Sequence, residues 1–421
     1  MRRTDLPNHI IWALVCLLIT GCKAPTSGKS DNSDNNWGDG EFSMYVSLGN
    51  SLTAGVADGA LYAAAQANSF PSLIAKMAGI QDNFEQPLMS GNGFSFNDTL
   101  GRLSVSVLDL KISFLEPGTE SNRGLSRPFN NLGTPLITAS QMLTATNSVE
   151  ADSNHFVDKI LRGSGRTLVE EALSLDPTII TLWVGNNDLL EAASLGLASA
   201  ESPYTPLEDF RDDLNGILYE LTSETAAPIF IGNVLDFTTL PYFTSLPSFI
   251  IDPTTGNKKY LYGEGEEGIR LLTDEDLILY WALPDYFLLA ESGDVTIENA
   301  LVDTVILDAS EKAEIVGLIQ QYNDRIQTVA NSYSQVYMID IHGMFKDISN
   351  NGFLFGDAVY TPDLIAFTDN GEIQLKVIST MFSFDGLHPN KIGYAAITNA
   401  FIEKINTILN ASLPLVEISD L

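Results

Sequence analysis

Cysteine is almost absent from this sequence of 421 residues, which contains only Cys16 and Cys22. Both lie within the first 22 residues, so the remainder of the chain can form neither a disulfide nor a cysteine-ligated metal site. The stability of that remainder must therefore come from burial of apolar side chains, for which the hydrophobic content of 45% is sufficient.

Positive charge is also scarce, because 22 lysines and arginines face 54 aspartates and glutamates and leave a net charge of −32. The basic residues form no cluster of the kind that phosphate contacts require, so the composition argues against a nucleic-acid partner. The HExxH, CxxC and Walker A patterns are absent as well. The sequence therefore implies neither a metal nor a nucleotide cofactor.

One long apolar run, 10–19, follows the basic start Met1-Arg2-Arg3. A membrane-spanning helix needs about 20 apolar residues, whereas this shorter length is typical of a signal peptide. The following residues, Ile19-Thr20-Gly21-Cys22, resemble the lipobox of bacterial lipoproteins. The resemblance implies a signal peptide over 1–21, a lipidated Cys22 and export to a bacterial membrane, with the outer membrane favoured and its periplasmic or surface face left open. An ordinary secretory signal followed by a cysteine is the alternative.

Small polar residues dominate 22–40, where apolar side chains are almost absent. This composition is typical of a flexible tether. We therefore expect a single folded domain over 41–421, joined through this tether to the lipidated residue.

Apolar, β-branched runs alternate with amphipathic segments along the expected domain. The predicted strands are 42–48, 178–184, 228–234 and 336–341, and the first of them reads as half-buried because its apolar residues alternate. The predicted helices begin near 70, 167, 205, 310 and 391 and end near 79, 175, 221, 333 and 409. Strands that alternate with helices imply βαβ units, and hence an α/β fold with a mainly parallel sheet and helices on both faces.

Two regions interrupt this alternation, at about 238–308 and 344–382, and we interpret them as inserts within the single domain. The first insert is expected to contain a helix over 274–281. Ahead of the inserts, 103–114 is predicted to be one strand, and 131–135 is predicted to be a turn.

Polar side chains lie where the predicted strands end or where the last helix begins. Ser51 follows the first strand, Asn187 and Asp188 follow the second buried strand, and Asp385 and His388 precede the last helix. The carboxyl ends of parallel strands share one edge of the sheet, where ligands bind. A serine, an imidazole and a carboxylate are the groups that serine hydrolysis requires. Taken alone, Ser51 is better explained as a residue that caps the next helix or closes a turn, and Asp188 is expected to shape its turn.

Four segments resemble, in order, the four blocks of the SGNH (GDSL-type) ester hydrolases. They are Gly49-Asn50-Ser51-Leu52, Asn131-Leu132-Gly133, Gly185-Asn186-Asn187-Asp188 and Asp385-Gly386-Leu387-His388. Asn50 stands where the family usually has Asp. The resemblance covers about 42–410, with the inserts outside it. It implies a three-layer α/β/α domain with a mainly parallel, flavodoxin-like five-stranded sheet, and a serine-dependent carboxylic ester hydrolase without a cofactor.

The same resemblance implies a role for each matching residue. Ser51 would be the nucleophile, His388 the base, and Asp385 the carboxylate that orients His388. The implied oxyanion donors are the backbone N–H groups of Ser51 and Gly133 and the side-chain amide of Asn187.

Two of these assignments have alternatives in the sequence. The second block is the poorest match, and Gly91 or Gly93 could replace Gly133 as an oxyanion donor. His342 also follows a predicted strand and competes with His388 as the base, although a glycine rather than a helix is expected to follow it.

The substrate is expected to be a small-molecule or lipid ester, with its acyl and alcohol parts left open. The aromatic residues of the first insert either cover an acyl chain or form the core of the insert; they are Tyr242, Phe243, Phe249, Tyr280, Trp281, Tyr286 and Phe287. Two other functions suit the same sequence: a non-catalytic, lipid-tethered binding protein of the same fold, and a polysaccharide O-deacetylase. The oligomeric state is left open.

Overall fold

The computed structural model describes residues 37–105, 112–194, 204–265, 268–367, 373–376 and 378–421. The predicted signal peptide, the predicted lipidation residue Cys22 and all but the end of the predicted tether lie outside these residues. Within the described part of the chain, no helix is both long and apolar enough to cross a membrane.

Five strands form a single sheet in which every neighbouring pair is parallel. In chain order they are β1 (Tyr45–Gly49), β2 (Asn131–Gly133), β3 (Ile179–Trp183), β4 (Ile229–Gly232) and β5 (Val336–Ile339). Their order across the sheet is β5-β4-β3-β1-β2. This is the flavodoxin-like order, and it confirms the predicted α/β class. The direction of winding reverses at β1, and ligands bind at the carboxyl ends of the strands beside such a reversal.

The first strand differs from its prediction, because β1 is buried along its whole length. Its polar positions are buried too, and they pair with the neighbouring strand. The hydroxyl groups of Tyr45 and Thr181 lie 2.8 Å apart, and Thr181 donates to Ser47 Oγ at 2.8 Å. Alternation of apolar residues therefore did not indicate a solvated face here, since helices cover both faces of the sheet.

The α-helices lie on the two faces of the sheet and confirm the three-layer arrangement. They are α1 (Ser51–Ala54), α2 (Ala63–Gln66), α3 (Phe70–Met77), α4 (Ala139–Thr144), α5 (His155–Leu161), α6 (Leu168–Leu173), α7 (Asn187–Ser194), α8 (Leu207–Glu224), α9 (Pro241–Thr244), α10 (Leu283–Ser292), α11 (Ala309–Ala330), α12 (Ile341–Asn351) and α13 (Lys391–Leu409). One group packs together around α8, which contacts α4, α6 and α11. In a second group, α13 packs against α3 and α12.

Two predicted helix starts are confirmed by their caps. Ser69 caps α3, and Pro71 occupies its first turn. Thr167 and Glu170 form a reciprocal capping box at the start of α6. In both cases the stabilising hydrogen bonds are local, which explains why the sequence alone locates them.

The residues Thr205-Pro206-Leu207-Glu208 match the sequence pattern of a capping box, but the capping box that this pattern predicts is wrong. The helix α8 begins at Leu207, and Pro206 occupies the cap position without a side-chain hydrogen bond. The Thr205 hydroxyl instead donates to Asp188 Oδ1 at 2.9 Å. The buried carboxylate of Asp188, from another part of the chain, thus binds the Thr205 hydroxyl that a local helix cap would have used.

The remaining strands form two-stranded pairs outside the central sheet. These pairs are Ala60–Leu61 with Phe94–Ser95, Met89–Ser90 with Thr119–Glu120, Leu103–Val105 with Ile112–Phe114, Phe249–Ile251 with Lys258–Tyr260, Tyr262–Gly265 with Gly268–Leu271, Leu277–Ile278 with Ile306–Leu307, Phe353–Phe355 with Ala358–Tyr360, and Ile365–Phe367 with Ile373–Leu375. All of them are antiparallel.

Three predicted segments are corrected by this arrangement. The predicted single strand over 103–114 is wrong, because Leu103–Val105 and Ile112–Phe114 pair with each other in antiparallel orientation; 106–111 lie outside the described residues. The predicted turn over 131–135 begins with β2, because pairing with β1 outweighs the turn tendency of asparagine and glycine. The predicted helix over 274–281 contains a short strand and the start of a 3-10 helix, Tyr280–Ala282.

Candidate active site

Ser51 lies at the carboxyl end of β1 and is the first residue of α1. The preceding Asn50 caps this helix, since its side-chain oxygen accepts the N–H of Leu52 at 3.0 Å. An aspartate oxygen would accept the same bond, so the departure from the family pattern keeps the cap. The Ser51 side chain is 7% exposed, and its N–H pairs with no acceptor among the described residues. Ser51 therefore presents a hydroxyl and a free backbone donor side by side.

His388 connects Ser51 to Asp385. Its Nε2 atom lies 2.9 Å from Ser51 Oγ, and its Nδ1 atom lies 2.8 Å from Asp385 Oδ2. All three side chains are buried. The structure thus brings together the three residues that the sequence singled out, in the order serine, imidazole and carboxylate.

The Asp385 carboxylate accepts a dense set of hydrogen bonds. Oδ1 accepts the N–H groups of Leu387 at 2.9 Å and His388 at 2.8 Å. Oδ2 accepts the N–H of Gly59 at 2.6 Å. Burial by itself would raise the pKa of Asp385, but the positive charge available on His388 and these donors outweigh burial and hold the pKa below its ordinary value. Asp385 therefore remains ionised beside the imidazole.

The turn that supplies Gly59 also holds the loop before His388 through Asp58. The N–H of Asp58 donates to Ser383 Oγ at 2.8 Å, and Asp58 Oδ1 accepts the N–H of Phe384 at 3.1 Å. Tyr62 donates its hydroxyl hydrogen to Asp58 Oδ2 at 2.8 Å. The contacts of Asp58 with Ser383 and Phe384 could not be predicted from the sequence, because they join residues more than 300 positions apart and Asp58-Gly59 resembles an ordinary turn.

A glycine inside the loop allows the first insert to approach it. Gly386 has φ +71°, and its carbonyl oxygen accepts the N–H of Tyr242 at 2.9 Å. A Cβ at Gly386 would lie only 2.7 Å from that nitrogen. The start of the insert therefore rests directly on the segment between Asp385 and His388.

Gly133, a predicted oxyanion donor, is not brought into the cavity with Ser51, His388 and Asp385. Its N–H donates to Asn131 Oδ1 at 2.9 Å, and it does not line the cavity that contains Ser51. A Cβ at this position would overlap the backbone of Ala54, which explains the glycine as a close contact between β2 and α1. The alternatives Gly91 and Gly93 do not line the cavity either.

Leu136 is a residue of the same cavity that the sequence did not single out. It has φ +64°, lines the same cavity as Ser51, and its N–H pairs with no acceptor among the described residues. Asn187, the other predicted donor, also lines this cavity and donates through Nδ2 to the carbonyl oxygen of Ile137 at 3.0 Å. The left-handed conformation of a leucine leaves no sequence signal, which is why this position was overlooked.

The four residues Ser51, Asn187, Asp385 and His388 share a cavity of about 590 Å³. Its apolar lining comes from five regions of the chain and consists of Phe96, Leu103, Phe114, Leu136, Leu190, Tyr242, Trp281 and Leu387. Its remaining polar lining consists of Gly59, Thr138, Gln141, Asp152, Ser153, Asn154, His155, Glu191 and Ser194, with the small side chain of Ala151 between them. A site of this size suits a small organic substrate.

The aromatic residues of the first insert divide between the two roles left open by the sequence. Tyr242 and Trp281 line the cavity. Phe243, Tyr280 and Tyr286 are at most 2% exposed and lie in the hydrophobic core. The insert therefore contributes both to the cavity and to its own packing.

His342 is not part of the cavity. It lies in α12 rather than before a glycine loop, so that part of its prediction is wrong. Its ring Nδ1 lies 3.4 Å from the side-chain nitrogen of Asn323, and its N–H donates to Asn233. The structure thus separates the competing histidine from Ser51.

Asp188 is buried beneath the cavity, where it joins three elements. Its carboxylate accepts the N–H of Ala139 at the start of α4 and the Thr205 hydroxyl before α8. Burial raises the pKa of Asp188 to about 6, against the opposing effect of these two donors. Among the described residues, no group of three or more His, Cys, Asp or Glu side chains is arranged to hold a metal ion.

Several solved structures are similar to this chain, and two of them are similar at low identity. One is LAE5, an alpha/beta hydrolase enzyme from the metagenome of Lake Arreo, Spain, with 12% identity, coverage of 86% of this chain and 94% of that chain, and a TM-score of 0.37. The other is a mutant of Axe2, an acetyl-xylooligosaccharide esterase from Geobacillus Stearmophilus, with 10% identity, coverage of 87% and 95%, and a TM-score of 0.37.

None of the curated proteins matches the sequence significantly. A family model described as GDSL-like Lipase/Acylhydrolase matches residues 45–401. This match spans most of the chain and includes every residue that lines the cavity. The chain belongs to the GDSL-like lipase/acylhydrolase family.

Proposed function

We propose that this protein hydrolyses carboxylic esters through an acyl-enzyme formed on Ser51. Membership of the lipase/acylhydrolase family supports ester hydrolysis as the reaction. The observation that carries the proposal for Ser51 is the continuous contact from its Oγ through His388 to Asp385, at 2.9 Å and 2.8 Å. Such a contact supplies a base for the serine proton and an orienting carboxylate for the base.

In the first half of the reaction, Ser51 Oγ bonds to the ester carbonyl carbon as its proton moves to His388 Nε2. The tetrahedral intermediate then breaks its bond to the alcohol oxygen, and that oxygen takes the proton from Nε2. In the second half, His388 removes a proton from water, and the resulting hydroxide attacks the acyl carbon. The acid leaves as Ser51 recovers its proton, so the protein is unchanged at the end. Asp385 stabilises the imidazolium at both stages.

The oxyanion would be held by the N–H of Ser51, the side-chain amide of Asn187 and the N–H of Leu136. We propose Leu136 in place of Gly133 because the N–H of Gly133 already donates to Asn131, whereas Leu136 lines the cavity with a free N–H. Each donor of this kind contributes about 3 kcal/mol to the stability of the transition state.

Active-site labelling tests the nucleophile directly. A fluorophosphonate probe should label the full chain on Ser51, as located by mass spectrometry, because only an activated serine reacts. Ser51→Ala should abolish both labelling and the hydrolysis of p-nitrophenyl butyrate. Ser153→Ala is the matched control, since Ser153 lines the same cavity without a histidine partner and its removal should leave both signals intact. A wild-type protein that is neither labelled nor active would point instead to a binding protein.

We further propose that the protein is a lipoprotein anchored through Cys22 to a bacterial membrane. Support comes from the basic start, the short apolar run and the lipobox-like residues before Cys22. Metabolic labelling with palmitate in a bacterial host should mark the wild-type protein and Cys16→Ala but not Cys22→Ala. Equal labelling of Cys22→Ala would contradict the anchor.

A further inference from the structure

An apolar wall begins beside the proposed catalytic residues. The ring centroid of Phe96 lies 6.0 Å from that of His388. Leu103 lies close to Asp385, since a Cβ on Gly59 would be 3.3 Å from Leu103 Cδ1 and 4.0 Å from Asp385 Cβ. The wall therefore begins beside His388 and Asp385, the side chains proposed to take part in proton transfer.

The wall continues outward through two segments that are distant in sequence. Leu103 and Phe114 are directly opposite each other in an antiparallel pair of strands, so their side chains share one face. Phe114 stacks on Trp281 with ring centroids 6.5 Å apart and an angle of 27° between the rings. Trp281 belongs to the first insert, and both aromatic residues line the cavity. Phe96, Leu103, Phe114 and Trp281 together are called the apolar wall below.

Three of the four wall residues expose large apolar surfaces to solvent. Phe96 is 39% exposed, Phe114 is 40% exposed and Trp281 is 51% exposed. Most bulky apolar side chains among the described residues are buried, so these three exposed ones, with Leu136 as a fourth in the same cavity, mark a surface that a ligand can cover favourably.

Charge in the same cavity disfavours anionic ligands. Asp152 and Glu191 are exposed carboxylates in its lining, and the described lining residues include neither lysine nor arginine. A negative group on a ligand would meet like charges there without a countercharge. An uncharged ligand meets no such penalty.

We propose that the apolar wall binds the acyl chain of an uncharged ester, and that Phe114 and Trp281 determine how long that chain is. The inference rests on the proposed hydrolysis at Ser51, because the chain must extend from a carbonyl group placed at Ser51 Oγ. Phe96 and Leu103 lie against the first part of the chain, and the stacked pair of Phe114 and Trp281 holds its distal part.

Chain-length profiles test the assignment. The specificity constant kcat/KM is measured for p-nitrophenyl acetate and p-nitrophenyl octanoate with wild type, Phe114→Ala and Trp281→Ala. Each truncation should lower kcat/KM for the octanoate about tenfold or more, mainly through KM, because an apolar contact with the chain is lost. The value for the acetate should stay within about twofold, since an acetyl group ends before the stacked pair.

Two variants control for general damage. Trp281→Phe keeps an aromatic face opposite Phe114 and should restore most of the activity on the octanoate. Leu288→Ala removes a side chain of the same insert that is 65% exposed and outside the cavity, so both rates should be unchanged.

A charged substrate of equal length tests the second half of the proposal. The mono-p-nitrophenyl ester of octanedioic acid carries a carboxylate at the end of an eight-carbon acyl chain. Its kcat/KM should be about tenfold below that of the octanoate at low salt, and the gap should narrow with added salt as the repulsion is screened.

The possible failures are distinguishable. If the wild type hydrolyses both neutral esters but truncation changes both rates equally, the acyl-chain assignment is overturned while the proposed function stands. Equal rates on the charged and neutral octanoyl esters would overturn the selection against anions. If the wild type hydrolyses none of the esters and Ser51 is not labelled, the proposed function fails and this inference fails with it.

Discussion

Two buried carboxylates at the carboxyl edge of the sheet differ sharply in their electrostatics. Asp385 is 7% exposed and Asp188 is 1% exposed, so water is nearly excluded from both. The pKa of Asp385 nevertheless lies below its ordinary value, whereas burial raises that of Asp188 to about 6. Burial alone therefore does not decide which carboxyl group stays ionised.

The difference follows from the partners of each group. Asp385 faces the ionisable ring of His388 and accepts three backbone N–H groups. Asp188 accepts one backbone N–H and one hydroxyl, and no lysine, arginine or histidine in the described part of the chain pairs with it. The nearby negative charge of Asp213 adds to the penalty. Asp385, which has several donors and a countercharge, is therefore suited to stabilising a charged imidazole during proton transfer. Asp188, which lacks a countercharge among the described residues, is suited to joining the elements around it.

The largest expected effect is on turnover. Asp385→Asn should lower kcat for p-nitrophenyl butyrate about a thousandfold or more, because the amide does not stabilise the imidazolium on His388. Asp188→Asn is the matched control and should reduce kcat less than about tenfold, since its side chain only supports the start of α4 and α8. Comparable losses in the two variants would remove the proposed distinction between these carboxylates.

The next effect concerns stability as a function of pH. The folded protein holds the Asp188 proton more tightly than the unfolded chain, because the folded pKa is the higher one. The stability contributed by Asp188 is therefore fully present below about pH 4 and is lost as the pH rises to about 6. The unfolding free energy of wild type relative to Asp188→Asn should fall over this range by on the order of 3 kcal/mol, measured by urea denaturation.

Asp385 should show the opposite slope. Its folded pKa is lowered, so its contribution is present above the unfolded pKa near 4 and is lost as the pH falls through the folded pKa. Wild type relative to Asp385→Asn should lose stability toward acid in the same denaturation series. If the difference in unfolding free energy changed with pH in the same direction for wild type against Asp188→Asn and for wild type against Asp385→Asn, burial would determine the pKa of both carboxyl groups.

A smaller effect is expected from the support of the loop before His388. Asp58→Asn should weaken the bond to the N–H of Phe384 and lower kcat about tenfold, because a small displacement of His388 misaligns proton transfer. Tyr62→Phe removes only one hydrogen bond to Asp58 and should lower kcat about threefold. Both variants should keep the fluorophosphonate label on Ser51, at a reduced rate. A loss in Tyr62→Phe larger than that in Asp58→Asn would contradict this order.

The smallest effect is expected at Asn50. Asn50→Asp introduces a further buried carboxylate and retains the oxygen that accepts the N–H of Leu52. The side-chain nitrogen that it replaces is buried and has no partner among the described residues, so no hydrogen bond is lost. Activity on p-nitrophenyl butyrate should stay within about threefold of wild type. A hundredfold loss would show that the asparagine has a specific role in this chain.

The sequence allowed the fold class and the proposed catalytic side chains to be predicted because their signals are local. Buried strands read as apolar runs, and Asp385 and His388 are three residues apart, so one loop supplies both. Ser51 follows its strand directly. None of these inferences required knowledge of distant contacts.

The remaining features depend on pairings between distant residues. The N–H of Gly133 is directed to Asn131, and the Thr205 hydroxyl is taken by Asp188, although both residues match local motifs. Leu136 adopts a left-handed conformation that composition does not predict. The strand pairs of the inserts are short and irregular, so periodicity could not separate their arms.

The contact between Tyr242 and Gly386 has a consequence for how activity arises and is lost. The hydrogen bond joins the first residues of the insert to the segment between Asp385 and His388. We therefore expect the position of the loop that contains Asp385 and His388 to depend on a docked insert. Cleavage of the insert by a protease should then lower the proposed activity, although the cut lies far along the chain from Ser51.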